Sequence, residues 1–181
     1  MAETLRLFFA LWPNEGVRSQ LGRAVPVAGP GGRMIPLDNL HVTLAFLGNT
    51  DPQRMGDLEA VAADVRGEPF VLTLDRYEIW DRALVVLIPS ELPAALAQLV
   101  SDLNARLARA GFPVESRRYR AHATLIRERQ RGSGRREGLL APEALSAGPD
   151  PVTWPIDEFA LVRSQTGSLG SRYEVLFRRA V

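Results

Sequence analysis

Histidine occurs twice in this chain of 181 residues, and both copies open the same pattern: His41-Val42-Thr43-Leu44 and His122-Ala123-Thr124-Leu125. Threonine fills only 7 of the 181 positions, so composition alone does not place Thr two residues and Leu three residues after each histidine. On a strand, residues i and i+2 share a face. His41 and Thr43 then look out together while Val42 and Leu44 turn into the core, and His122 and Thr124 do the same over Ala123 and Leu125. Two imidazoles facing one cleft meet a specific need. Near neutral pH one accepts a proton while the other donates one, as attack of water on a phosphodiester requires. The Thr43 and Thr124 hydroxyls donate to non-bridging phosphate oxygens and support the charge that builds in the transition state. Arg127 would add a fixed cation. Strict alternation turns it away from Thr124, so this role requires the strand to end near Ile126. By the same parity Phe46 faces away from His41 and reads as core.

Other chemistries lack their residues. Without cysteine there is no disulfide, thiolate ligand or thiol nucleophile. Two histidines with no H-E-x-x-H and no acidic cluster make a poor zinc shell. All 22 basic residues are arginine, so a P-loop lysine is absent, and no G-x-S-x-G occurs. Metal-free acid–base catalysis on a phosphate is what remains. Hydrophobic residues at 46% and charged residues at 24% exclude disorder and coiled coil. No apolar run approaches the ~20 residues of a membrane span. The apolar stretch Leu5–Trp12 is short, has no basic leader or small-residue cleavage site, and stops at Pro13, so it is not read as a signal peptide. The expected setting is cytoplasmic. Net charge is +1, yet eight arginines fall between Arg117 and Arg136 with Glu128 the only acid among them, and that stretch is locally basic.

The surrounding elements read as α+β. Leu5–Trp12 is a buried strand, and Asn14 caps a helix over Glu15–Ala24. Val25–Gly32 is a loop and Asn39–Leu47 a strand. Pro52–Arg66 is helical; strands over Phe70–Trp80 and Ala83–Ile88 turn at Asp81-Arg82. Ser90 caps the clearest amphipathic helix, Leu92–Ala110, with a leucine stripe for the core and Gly111 closing it. Ala121–Ile126 is a strand, Arg127–Gly138 a polar loop read as mobile, and Ile156–Ser164 and Arg172–Arg178 are strands joined by a turn over Thr166–Gly170. The order strand, proline, helix, loop, strand with histidine appears twice, roughly over residues 5–47 and 83–126. A single domain of two pseudo-symmetric lobes, with antiparallel sheets flanked by helices and a cleft between the lobes, accounts for that repeat.

These motifs resemble those of the 2H phosphoesterases, and within them the RNA 2′,3′-cyclic phosphodiesterases also called 2′-5′ RNA ligases. Asn39-Leu40-His41-Val42-Thr43-Leu44-Ala45-Phe46-Leu47-Gly48 is similar to the first family motif, and His122-Ala123-Thr124-Leu125-Ile126-Arg127 to the second. Arg6-Leu7-Phe8-Phe9-Ala10 and Ser164…Gly170…Tyr173 extend the likeness over the whole chain. It implies hydrolysis of a 2′,3′-cyclic phosphate at an RNA end to a 2′-phosphomonoester, without metal or nucleotide cofactor. Separately from the resemblance, the chain is expected to be a monomer. The resemblance further implies that His41 protonates the leaving 3′ oxygen and His122 activates water. One departure is Met34, where the family often carries a tryptophan, and this removes an aromatic partner for a base; Trp80, Trp154 and Tyr119 read as structural. Three alternatives stay open: 2′-5′ ligation by the reverse reaction, hydrolysis of a small cyclic nucleotide, and a nucleotide- or RNA-binding module without catalysis. The basic stretch favours longer RNA among these, because phosphate neutralisation adds salt-dependent affinity.

Overall fold

The apolar run near the start of the chain forms β1 (Leu5–Leu11), a strand buried on both faces. Leu7, Phe9 and Leu11 enter the main core, while Phe8, Ala10 and Trp12 form a second cluster with Ala160 and Val162 on the opposite face. That double burial explains a continuous apolar run where a half-exposed strand would alternate. A computed structural model of the chain describes residues 4–128, 138–140, 144–145, 148–167 and 170–181. After β1 come α1 (Glu15–Arg23), β2 (Gly32–Met34), β3 (Val42–Thr50), α2 (Met55–Asp64), β4 (Phe70–Leu74), β5 (Arg76–Trp80) and β6 (Leu84–Ile88). They are followed by α3 (Ala94–Arg109), β7 (Ala123–Glu128), β8 (Val152–Ile156), β9 (Glu158–Gly167) and β10 (Gly170–Ala180). None of these helices is long and apolar enough to cross a membrane.

The α+β class and the antiparallel pairing match the sequence reading. Seven strands run in the order β10-β9-β1-β3-β7-β6-β5, with β2 also paired to β7, and β4 and β8 form a separate two-stranded sheet. Each half holds a strand, a helix and an antiparallel return strand: β1, α1 and β3 on one side, β6, α3 and β7 on the other. The halves join where β3 meets β7 through one pair, Val42↔Ala123. Both partners are the residue directly after a histidine, so the seam of the sheet brings the two motifs side by side.

Local chemistry explains most boundaries. The Asn14 side chain accepts from the Val17 amide at 3.0 Å and caps α1. The helix α3 buries Leu96, Leu99, Val100, Leu103 and Leu107. Asp81 and Arg82 both take left-handed φ, 51° and 56°, the turn whose twist suits a tight hairpin.

Several expectations change. Ser90 does not cap α3. Its amide and hydroxyl bond the Asp75 carboxylate at 2.7 and 2.6 Å, and the helix begins after Pro93. The long strand expected over residues 70–80 breaks at Asp75, so that β4 pairs with β8 and β5 with β6. A short 3-10 turn over Pro52–Arg54 precedes α2. The strands β2 and β8 were not expected. Each is short and gains its ladder from a partner distant in sequence. Of the expected loop Arg127–Gly138, Arg127 and Glu128 belong to β7, and residues 129–137 lie outside the described residues, as do 168–169 of the expected turn.

Candidate active site

His41 and His122 each stand directly before a strand, β3 and β7. Both strands depart from simple alternation, and they do so in the same way. Along β1, Phe9 pairs with Ala45 and Ala10 with Thr43, so Leu44 has no partner there. Along β6, Val85 pairs with Ile126 and Val86 with Thr124, leaving Leu125 unpartnered there. Each leucine is the fourth residue of its His-x-Thr-Leu pattern. A bulge adds one residue and resets strand parity. Leu44 and Ala45 are therefore both buried, as are Leu125 and Ile126. The residues five places after the histidines, Phe46 and Arg127, return to the face of Thr43 and Thr124.

This corrects two expectations. Arg127 reaches the site although β7 continues to Glu128, because the bulge turns it back. Phe46 is not core: it is 45% exposed and lines the same cavity as His41. A second irregularity follows at Leu47, where Gly48 takes φ +69°, a conformation that side chains with a Cβ resist.

That cavity has a volume of about 480 Å³ and is lined by His41, Thr43, His122, Thr124 and Arg127 together. Arg6 and Arg33 also line it, whereas no Asp or Glu among the described residues does. Arg33 and Arg127 are direct cross-strand partners of β2 and β7. Like charges so placed repel, and an anion between them relieves the cost. Sequence reasoning missed Arg33 because its place depends on a three-residue strand pairing with β7. It missed Arg6 as a site residue too; the guanidinium lies 4.8 Å above the Phe46 ring. The neighbours of Met34, Arg33 and Ile35, line the cavity and Met34 does not.

Both imidazoles are held alike. His41 Nδ1 lies 2.6 Å from the Asn39 carbonyl and His122 Nδ1 lies 2.8 Å from the Arg120 carbonyl. A carbonyl only accepts, so each Nδ1 carries a proton and each Nε2 is the nitrogen left to exchange one. The Asn39 side chain donates to the Ser171 carbonyl at 2.8 Å and ties this turn to β10. His41 is packed among Phe8, Trp12 and Tyr173, with ring centroids 5.0, 5.6 and 5.2 Å away. Burial lowers its pKa to about 4 against the pull of the Asn39 carbonyl, with His122 adding a smaller repulsion. The pKa of His122 is also lowered, chiefly by burial, with Arg120 adding repulsion and its carbonyl opposing. Trp80, read as structural, packs on His122 at 4.3 Å between centroids. Trp154 is buried in the core. The Tyr119 hydroxyl donates to the Thr43 carbonyl at 3.1 Å. No group of three or more His, Asp or Glu suited to a metal occurs among the described residues.

A family model described as the 2′-5′ RNA ligase superfamily matches residues 17–168. The RNA 2′,3′-cyclic phosphodiesterase of Escherichia coli (strain K12) is 33% identical over 186 residues, covering 100% of this chain and 99% of its own length. Its namesake in Thermus thermophilus is 25% identical, covering 95% of this chain and 88% of its own. A crystal structure of E. coli LigT complexed with 3′-AMP has a TM-score of 0.81 at 31% identity and covers 99% of both chains.

Proposed function

The chain belongs to the 2′-5′ RNA ligase superfamily, and on that premise we propose that it hydrolyses 2′,3′-cyclic phosphates at RNA ends to 2′-phosphomonoesters. The observation that carries the reading is the cavity itself: two equivalently held imidazoles, two threonines and three guanidiniums, with no carboxylate among its described lining residues. This is an environment for an anion that reacts by proton transfer. His122 Nε2 takes a proton from water as its oxygen bonds phosphorus. The P–O3′ bond breaks and His41 Nε2 delivers a proton to the departing oxygen, leaving the phosphate on O2′. The Thr43 and Thr124 hydroxyls donate to the non-bridging oxygens, and Arg127 offers a bidentate fork to the same charge.

His41 sits in its free state with a pKa near 4, too low for a ready acid at neutral pH. An anionic substrate beside it favours the imidazolium and restores that role. In this reading the catalyst is a monomer, since one chain supplies every group, and it works without metal in the cytoplasm. The chain is one two-lobed domain whose halves, residues 5–47 and 83–126, are an internal repeat.

The experiment incubates the protein, in excess EDTA, with a short RNA ending in a 2′,3′-cyclic phosphate. Wild type is expected to yield a 2′-phosphate, and His41→Ala and His122→Ala each to lose about 10²–10⁴-fold in rate. Full activity in either variant, or dependence of the wild type on added metal, would overturn the two-histidine mechanism.

A further inference from the structure

A groove of about 610 Å³ runs beside the cavity and shares Thr43, Phe46 and His122 with it. Its wall is a run of ring and guanidinium contacts. The Trp80 ring packs against His122, and the Arg120 guanidinium lies 4.5 Å above the Trp80 ring. Glu78 holds both members with one carboxylate oxygen, 2.7 Å from Trp80 Nε1 and 2.5 Å from an Arg120 nitrogen. The Arg120 side chain keeps 55% of its surface exposed, and Ile79 and Phe46 are also half-exposed. A guanidinium plane fixed on an indole, with apolar surface beside it, is a platform on which a nucleobase stacks.

Charge decides what else the groove can take. Arg117, Arg118 and Arg120 face Glu78, Asp81 and Glu115 along it, and the pairs Arg120–Glu78 and Arg117–Glu115 are formed at 2.5 and 3.3 Å. The groove is therefore near neutral, although the sequence around it is rich in arginine. It suits a base and ribose better than a run of phosphates.

We propose that this groove is a subsite for the nucleotide that precedes the cyclic phosphate in an RNA chain, its base stacked on the Arg120–Trp80 platform. The proposal rests on the function read above. The occupant follows from continuity: the groove opens from the cavity at Thr43, Phe46 and His122, and an RNA end always brings a preceding nucleotide, which must leave the cavity along an adjoining surface.

The test compares kcat/KM for adenosine 2′,3′-cyclic monophosphate with that for the dinucleotide ApA ending in a 2′,3′-cyclic phosphate. Wild type is expected to favour the dinucleotide about tenfold, within the range of one stacked base, and to keep that preference as salt is raised. Ile79→Asp, which sets a charge beside the platform, and Arg120→Ala, which removes its guanidinium, are each expected to lower the ratio of dinucleotide to mononucleotide turnover. Equal turnover of both substrates by wild type would overturn the subsite and leave the phosphodiesterase reading standing. So would variants that lower both rates in parallel. Turnover of neither substrate would overturn the phosphodiesterase reading and the subsite with it.

Discussion

Phe46 and Arg127 occupy the same position in two matching strands, five residues after His41 and His122 and just past an unpartnered leucine in each. One strand thus sets an aromatic ring against the cavity and the other a guanidinium. The backbone device is shared and the side chains differ, so under the proposed function the two strands would meet different parts of one substrate.

Arg127 is expected to act on the charge of the transition state. Arg127→Ala should lower kcat by about 10²-fold, the scale of losing one preorganised donor. Arg127→Lys should recover only part of it, because an ammonium lacks the bidentate fork. Steady-state kinetics on a cyclic-phosphate RNA checks this, and full rescue by lysine would show that charge alone suffices.

Phe46 is expected to act on binding. Phe46→Ala should raise KM for a nucleoside cyclic phosphate by about tenfold, as for one lost base stack, with kcat less affected. Phe46→Tyr should stay close to wild type. Since the ring is half-exposed, thermal stability should change little, and a large fall in Tm would assign it to the core after all.

The two histidines should reveal the substrate through their titration. In the free protein, NMR of the imidazole resonances should place His41 near pH 4 and His122 below its ordinary value. Added inorganic phosphate should raise the pKa of His41, because a neighbouring anion favours the charged ring. A His41 titration indifferent to phosphate would separate it from the anion site.

The same burial makes stability depend on pH. The pKa of His41 is lower folded than unfolded, so the unfolded chain binds the extra proton as pH falls from about 6.5 towards 4. Folding stability should be full above that window and decline through it, by at most about 3 kcal/mol for this group. Denaturant melts of wild type and His41→Gln across the window measure it. Parallel pH profiles for the two proteins would contradict the assignment.

Tyr119 ties the segment before His122 to the strand after His41 through its bond to the Thr43 carbonyl. Tyr119→Phe should cost about 1 kcal/mol of stability and leave catalysis within a few-fold. Chemical denaturation together with kinetics would show whether the tie also aligns the two motifs.

The two His-x-Thr-Leu patterns, the absence of lysine and cysteine, and the strand-helix-strand order repeated around them were legible in the sequence, because residue type and short-range spacing carry that information. They sufficed for the α+β class, for the chemistry of a phosphate and for five residues that line the cavity. The positions of Phe46 and Arg127 were not legible. Strand parity is a property of one chain segment, whereas a bulge arises from its pairing with β1 or β6, and those partners are remote in sequence. For the same reason Arg33 entered the site only when β2 paired with β7, and Arg117 and Arg120 proved to be held by Glu115 and Glu78. Residue types and their short spacing determined which groups could react. Strand registry, set by long-range pairing, decided which of them face one another.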